Sequence, residues 1–236
     1  MISKNLFSLK GKTALVTGGS TGIGFMATVG LVSAGAKVFI VSRKLENCQN
    51  AAKKLDNCNF EGKVIPFKGD LSSETGINNI IEEIYAKNSE LHILINNAGR
   101  TWGSDLSSFP YDAWAKVLNL NVSAIFYLTQ KLVPLLTASS RSDFPSRVVN
   151  IGSVMGEVPM GDGAYSYAAS KSAVHHITRI LAKELAEKNI TVNALSPGPF
   201  QSNMTNFAIG DSKGTTRVSK RVPLKRIGKT DDIAAS

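Results

Sequence analysis

Cysteine is nearly absent from this chain: its 236 residues include two, Cys48 and Cys58, near one expected helix and the loop after it. Two unclustered thiols build neither a disulfide framework nor a metal site, so both are expected to be free and no metal is expected. Long apolar runs are missing too. The longest apolar region, 117–136, is broken by Asn119, Asn121, Ser123, Thr129, Gln130, Lys131 and Pro134, which makes it too polar to span a bilayer. Residues 1–10 hold no apolar core of the kind a secretory signal needs. These gaps point to a cytoplasmic protein with no membrane partner. Internal repeats, low-complexity tracts and linkers are also lacking, and residues 1–236 read as one α/β domain.

Acid is in short supply. The chain has 27 Lys and Arg against 18 Asp and Glu, a formal net charge of +9. That balance favours anionic partners: nucleic acid, a phosphorylated cofactor or an acidic carrier protein. Residues 212–229 hold seven Lys or Arg and no acid. They also lack the interleaved aromatics and recognition motifs of a nucleic-acid surface, so nucleic acid is not expected. Hydrophobic residues make up 43% of the chain and charged ones 19%, a globular rather than a disordered composition.

Short runs rich in Val and Ile alternate with stretches of helical spacing. Strands are expected at 13–17, 37–41, 64–67, 91–95, 147–151 and 190–195, apolar nearly throughout, as strands buried on both faces are. Helices are expected near 22–34, 44–56, 73–87, 110–137 and 165–188, with Pro110 as a helix start. This alternation implies a Rossmann-type doubly wound parallel sheet in three layers, α/β/α.

The first strand runs into Thr17-Gly18-Gly19-Ser20-Thr21-Gly22-Ile23-Gly24. Glycines let the backbone turn sharply and approach a ligand, and the helix that follows offers free N–H groups to a pyrophosphate. The spacing is Gly-x-x-x-Gly-x-Gly rather than the common dinucleotide fingerprint. The second strand ends Val41-Ser42-Arg43-Lys44. An acid there would hold the ribose hydroxyl of NAD; Arg43 can instead fork onto a 2′-phosphate, which favours NADP(H).

Tyr167 and Lys171 stand four residues apart on one expected helix, so they share a face. A phenol titrates near pH ~10 and is idle at neutral pH unless its environment changes. A neighbouring cation lowers that value. Ser153, fourteen residues earlier, supplies a hydroxyl that can hold a carbonyl oxygen. Together they read as a device for moving a proton to or from an alcohol.

In order along nearly the whole chain, Thr17–Gly24, Asp70-Leu71, Asn96-Asn97-Ala98-Gly99, Asn121, Ser153, Tyr167 with Lys171, and Pro197-Gly198 resemble the motifs of the short-chain dehydrogenase/reductase family. Within it the chain is most similar to NADPH-dependent 3-oxoacyl-[acyl-carrier-protein] reductases, including the rhamnolipid-pathway type, through Asn150-Ile-Gly-Ser-Val-Met-Gly156, Leu181-Ala-Lys-Glu-Leu185 and Asn97-Ala-Gly-Arg-Thr-Trp-Gly103. The resemblance implies that Tyr167 is the general acid and that Ser153 stabilises the carbonyl oxygen. It implies that Lys171 lowers the Tyr167 pKa and binds the nicotinamide ribose, and that Asn121 anchors a water linking Lys171 to solvent. Gly18, Ser20, Thr21, Gly22, Ile23 and Gly24 would cradle the pyrophosphate. Ser42 and Arg43 would meet the adenosine end, Asp70 and Leu71 the adenine, and Asn97, Ala98 and Gly99 would lie beside the cofactor. Pro197 and Gly198 would line the nicotinamide, with Ser202 in place of the threonine that holds the carboxamide. Thr21 stands where the rhamnolipid-pathway type has an arginine, one phosphate contact fewer.

The implied activity is reduction of a 3-oxoacyl thioester to the 3-hydroxyacyl product, in fatty acid biosynthesis. Reduction of another carbonyl (a sugar, a diketone, a steroid-like ketone) and a non-enzymatic cofactor sensor or scaffold are the alternatives. Residues 197–229 would form the substrate lid, either a solvated cover or a receiver for acyl carrier protein or its phosphopantetheine arm, with Lys188 as a further docking residue. Trp102, Met155, Met160, Phe200, Met204 and Phe207 would line an apolar acyl pocket. By resemblance, helices 110–137 and 165–188 would pair subunits into homodimers or homotetramers. Relatives carry a further helix and strand, so the chain, ending in what reads as the first turn of a helix, is expected to lack the last strand. Tyr165 is off the Tyr167–Lys171 face. Ser153 is not in a Gly-x-Ser-x-Gly elbow, and His175, His176 and His92 read as structural, His92 standing where the family often has an acid.

Overall fold

The computed structural model describes residues 7–160 and 163–236. The N-terminal reading above therefore falls largely outside the described residues. Among the described residues six strands form one parallel sheet: β1 (Thr13–Thr17), β2 (Lys37–Ser42), β3 (Lys63–Lys68), β4 (Ile93–Asn96), β5 (Ser146–Ile151) and β6 (Ile190–Leu195). Their order across the sheet is β3-β2-β1-β4-β5-β6, with β1 and β4 in register from Ala14↔Ile93 to Val16↔Ile95. The winding reverses between β1 and β4. That switch point opens a crevice at the strands' carboxyl ends, where ligands bind in such sheets.

The helices are α1 (Gly22–Ser33), α2 (Leu45–Asp56), α3 (Glu74–Lys87), α4 (Asp112–Leu118), α5 (Ala124–Ser139), α6 (Tyr165–Leu185), α7 (Asn206–Ile209), α8 (Ser212–Arg221) and α9 (Thr230–Ala234). Leu15, Phe39, Leu94 and Val148 pack the sheet against Ile80 and Ile84 of α3, Leu128 and Leu132 of α5, and Leu181 of α6. On the other face Val16, Val38 and Ile40 meet Ala27 of α1 and Cys48, Ala51 and Leu55 of α2, with Ile233 of α9 in the same layer. Burying a side chain such as Leu15 or Phe39 fully stabilises by roughly 1.5–3 kcal/mol, which is why near-continuous apolar strands end up between two helical layers.

Two local outcomes differ from the sequence reading, and His92 is structural as expected. The single helix expected over 110–137 is α4 and α5 joined by a π-helical turn, Asn119–Ser123. The expected helix over 165–188 ends as α6 at Leu185. A 3-10 turn follows, and Asn189 takes a left-handed conformation (φ 53°) that stops it before β6. His92, where the family often has an acid, accepts the Thr13 N–H at Nδ1 (3.2 Å), an acceptor role a carboxylate would also fill. A main-chain N–H can only donate, so Nδ1 is unprotonated. Burial pushes the His92 imidazole below the usual range, and Lys12 pushes the same way.

Candidate active site

The glycine loop, Asp70-Leu71, Asn97–Gly99, Ser153 and Pro197-Gly198 follow the carboxyl ends of β1, β3, β4, β5 and β6, while Asn121 lies in the π turn and Tyr167 and Lys171 on α6. The glycine loop leaves β1 held from two sides. Thr17 Oγ1 accepts the N–H groups of Asn97 (2.9 Å) and Ala98 (3.0 Å), and Asn97 Nδ2 donates back to the Thr17 carbonyl (2.9 Å). Thr28 Oγ1 donates to the carbonyls of Gly24 (2.9 Å) and Gly19 (3.2 Å). Gly18 has φ +65°, and a Cβ on Gly24 would sit 2.3 Å from the Gly18 carbonyl oxygen. The loop can close onto the helix only with glycine at these positions. No side chain caps the first turn of α1 and no acid lies in it, so its N–H groups and dipole face the crevice. This cradle fits a pyrophosphate. Asn97, expected beside the cofactor, also clamps the loop together with Thr17, the first residue of the motif, and with Thr28, for which the sequence gives no role. Thr17 meets its partners 80 and 81 residues away, a pairing that leaves no sequence signal.

At the end of β2 the Ser42 hydroxyl donates to the Lys44 carbonyl (2.9 Å) and lies 3.2 Å from Cys48 Sγ, a local engagement. Arg43 is exposed. Burial pushes the Asp70 carboxyl up, but the Ser72 N–H (2.9 Å), the Ser72 hydroxyl and the charge of Arg43 hold it below the usual range. Arg43 and Asp70 thus face the same corner. The Leu71 side chain is buried in the core. Ile23 leans on the opposite layer.

The proton-handling groups sit deeper. Lys171, 5% exposed, donates from Nζ to the Ile151 carbonyl (2.6 Å) and lies 5.6 Å above the Tyr167 ring centroid. Burial pushes the Lys171 ammonium down to about 8. Tyr167 departs from expectation. Burial pushes its phenol above the usual value, and the Ser153 hydroxyl pulls it only part of the way back. Lys171 hydrogen-bonds a main-chain carbonyl instead, so desolvation dominates. Ser153 follows the end of β5 by two residues and accepts the Met155 N–H at Oγ (3.2 Å).

Asn121 is fully buried in the π turn. Its Oδ1 accepts the Arg100 N–H (2.9 Å), while Nδ2 donates to the Arg100 carbonyl (2.9 Å) and to Ser170 Oγ (2.9 Å). Ser170 in turn donates to the Tyr167 carbonyl (2.7 Å). The widened turn aims Asn121 across to α6, and π turns are common at such sites.

Residues 12–212 match the short chain dehydrogenase family. This chain belongs to that family. It is an oxidoreductase of the short chain dehydrogenase type, and relatives cover nearly all of it. A rhamnolipid-biosynthesis 3-oxoacyl-[acyl-carrier-protein] reductase of Pseudomonas aeruginosa is 44% identical over 229 residues, 97% of this chain and 88% of that protein. The 3-oxoacyl-[acyl-carrier-protein] reductase FabG of Thermotoga maritima is 33% identical over 226 residues, 96% and 88% of the two chains. The solved RhlG/NADP active-site complex of Pseudomonas aeruginosa superposes with a TM-score of 0.91 at 44% identity, covering 97% of this chain and 88% of that one.

Around this short chain dehydrogenase site the expected substrate residues divide. Met155 and Trp102 are half-buried, and Met160 and Met204 are exposed. Phe200 is a correction: it is buried in the core layer beside Ile151 and Ile233, its ring filling the space over Gly228, and it bridges to that residue. The Phe207 side chain lies outside the described residues. Tyr165 stacks edge-on against Phe109 with centroids 5.3 Å apart. Ser202 holds Thr205, N to Oγ1 at 3.0 Å, and its Cβ faces Gly22 across the cradle, 3.0 Å from where a Cβ there would stand. Pro197 accepts the Val154 N–H (3.2 Å), tying the β6 end to the serine turn, and Gly198 is open. Lys188 and His176 are exposed, and His175 is buried against Ser153.

Proposed function

We propose that the protein reduces a 3-oxoacyl thioester to its 3-hydroxyacyl form with NADPH. The observation that carries the reductive reading is geometric: the Tyr167 phenol, an O–H donor, lies beside the Ser153 hydroxyl, with the buried Lys171 ammonium 5.6 Å from its ring centroid. The thioester reading is supported by the 44% identity with the Pseudomonas reductase over 97% of the chain.

The dinucleotide would lie along the crevice, its pyrophosphate over Gly18, Ser20, Thr21, Gly22, Ile23 and Gly24. Arg43 at the β2 end would face a 2′-phosphate, with Ser42, Asp70 and Leu71 toward the adenine. Asn97, Ala98, Gly99, Pro197, Gly198 and Ser202 would border the nicotinamide end. NADPH supplies the hydride when bound. Ser153 holds the substrate carbonyl oxygen and donates to it as charge develops. Tyr167 gives that oxygen its proton. Lys171 fixes the Ile151 carbonyl and places a cation under the phenol, easing the charge the tyrosine acquires as its proton leaves. Asn121, through Ser170, holds α6 in register with these groups and anchors a water that resupplies the proton.

Residues 197–229 act as the substrate lid. The cations of α8 together with Lys188 receive an acidic carrier protein. Exposed Phe126 of α5, in a groove of about 670 Å³ lined in part by Val122, Phe126 and Tyr127, and exposed Ile180 of α6 pair subunits into a homodimer or homotetramer.

The test is nicotinamide absorbance with NADPH and acetoacetyl thioester, beside sugar ketones and diketones. Thioester turnover is expected, with NADPH preferred to NADH and the rate falling as pH rises through about 8 and Lys171 loses its proton. Turnover of the other ketones alone would refute the thioester reading.

A further inference from the structure

The turn that carries Ser153 is built around an imidazole. Three consecutive residues at the end of β5 are pinned, each by a different partner. The Ile151 carbonyl takes the Lys171 ammonium (2.6 Å), the Gly152 N–H goes to the Leu195 carbonyl (2.7 Å), and the Ser153 N–H goes to His175 Nε2 (3.3 Å). His175 is 7% exposed. It stands four residues after Lys171 and eight after Tyr167 on α6, so all three reach the same face of the helix.

The backbone around His175 leaves room for nothing else. A Cβ on Gly152 would sit 2.1 Å from Nε2, and one on Gly156 would sit 2.8 Å from Cε1. The serine turn therefore has glycine on both sides of the ring because the ring fills the space. The tautomer follows from the partners. A main-chain N–H can only donate, so Nε2 carries no proton, and the Ser196 hydroxyl shares that nitrogen (3.1 Å). The proton is on Nδ1, which is buried without a hydrogen-bond partner and has Glu157 Oε1 3.4 Å away.

We propose that His175 is a positioning residue of the catalytic site, whose neutral imidazole holds the Ser153 turn in its working geometry and releases it when Nε2 is protonated. A proton on Nε2 sets two donors against each other at the Ser153 N–H. The turn must then shift, and the hydroxyl facing Tyr167 shifts with it. The charged groups around the ring are Glu157 after the turn and Lys171 and Arg179 on α6. Burial pushes the imidazole below the usual histidine value; Glu157 pulls it back up, while Lys171 and Arg179 add to the lowering. The ring is thus neutral at cytoplasmic pH and becomes charged only in acid. The inference rests on the reading of Ser153 as the group that holds the substrate oxygen.

The test joins structure and rate on the full-length protein. In ¹⁵N–¹H spectra taken through a pH titration, the Ser153 amide is expected to move with the His175 ring nitrogens, starting from a ring protonated on Nδ1. Turnover of whichever ketone the enzyme reduces best is then followed from pH 8 downward. The wild type is expected to lose kcat by about tenfold per pH unit once below the His175 pKa, with KM for NADPH little changed. His175→Gln keeps an amide oxygen in reach of the Ser153 N–H and cannot titrate. It is expected to hold near-wild-type kcat at pH 7.5 and to lose the acid limb. His175→Leu removes the acceptor and is expected to lower kcat roughly 10²-fold at all pH, the size of an ångström-scale misplacement.

A Ser153 amide indifferent to His175 titration would sink the inference whatever the enzyme reduces. So would a His175→Gln variant that folds and keeps the acid limb. If the amide follows the ring and the Gln variant is flat in acid while acetoacetyl thioester is not turned over, the inference stands and the thioester reading fails.

Discussion

The floor of the site and its lid are built on opposite terms. In the floor, Asn121, Ser153, Ser170, Lys171 and His175 are all no more than 7% exposed, and their hydrogen bonds join α6, the π turn and the ends of β5 and β6. In the lid, of the described residues from 197 to 229, only Phe200, Ile209 and Gly214 are buried. Seven cations between 212 and 229 face no acid within that segment, although Arg226 forks onto Asp232 of α9 (2.6 and 2.8 Å). Buried polar groups hold geometry only when each is satisfied, and the floor nearly meets that condition. An exposed basic surface holds little geometry and much potential. In the proposed function, chemistry falls to the first region and choice of partner to the second.

The sharpest way to break this contrast is Tyr167→Phe. The ring stays, the proton is lost, and turnover is expected to drop roughly 10²–10⁴-fold, with the NADPH dissociation constant, read by fluorescence, unchanged. Weakened NADPH binding on the same scale would mean that the floor also carries the binding. Asn121→Ala comes next. It strips the partners from the Arg100 N–H, the Arg100 carbonyl and Ser170, each worth about 1–3 kcal/mol when buried and unsatisfied. Urea unfolding is expected to show a loss of several kcal/mol, together with a fall in kcat. A variant as stable as the wild type would remove Asn121 from the framework.

A smaller effect sits at the far end of the sheet. The folded-state pKa of His92 lies below its ordinary 6.5. Its contribution to stability is therefore complete above pH 6.5 and is lost as pH falls through the folded value, when a protonated Nδ1 confronts the Thr13 N–H. About 1–3 kcal/mol is at stake. A melting temperature that falls in acid for the wild type, and falls less for His92→Asn, is the expected result. The smallest effect belongs to the lid. Lys213→Glu with Arg217→Glu is expected to change stability by less than ~0.5 kcal/mol and to leave small-ketone turnover alone. KM for a carrier-bound thioester should rise. An equal rise for the free thioester would assign these cations to the substrate itself.

The framework was legible in the sequence because it obeys local rules. Each of the six strands is a short, largely apolar run that contains Val or Ile, and Tyr167 and Lys171 share a helix face because of their spacing. The glycine loop announces itself by composition. What could not be read depends on partners remote in sequence. Phe200 looks like a pocket residue until Gly228 offers it a flat surface in the core. The raised Tyr167 pKa follows from the depth of burial, which no spacing conveys. His175 looked structural, and its link to Ser153 exists only once β5, β6 and α6 have packed. Thr17 is one of many threonines until Asn97 and Ala98 arrive across the switch point.

The π turn at Asn119–Ser123 carries a consequence for which changes in chain length the protein can tolerate. A π turn is an α-helix with one residue too many. Deleting a single residue there would let α4 and α5 fuse into one regular helix, so the backbone would gain regularity. Because the wide turn already absorbs the extra residue, the flanking helices would keep their phase, but the widened backbone that aims Asn121 at Ser170 and Arg100 would be lost. Helical content would survive a change that dismantles the site, and the length of this segment is therefore set by chemistry against the preference of the helix itself.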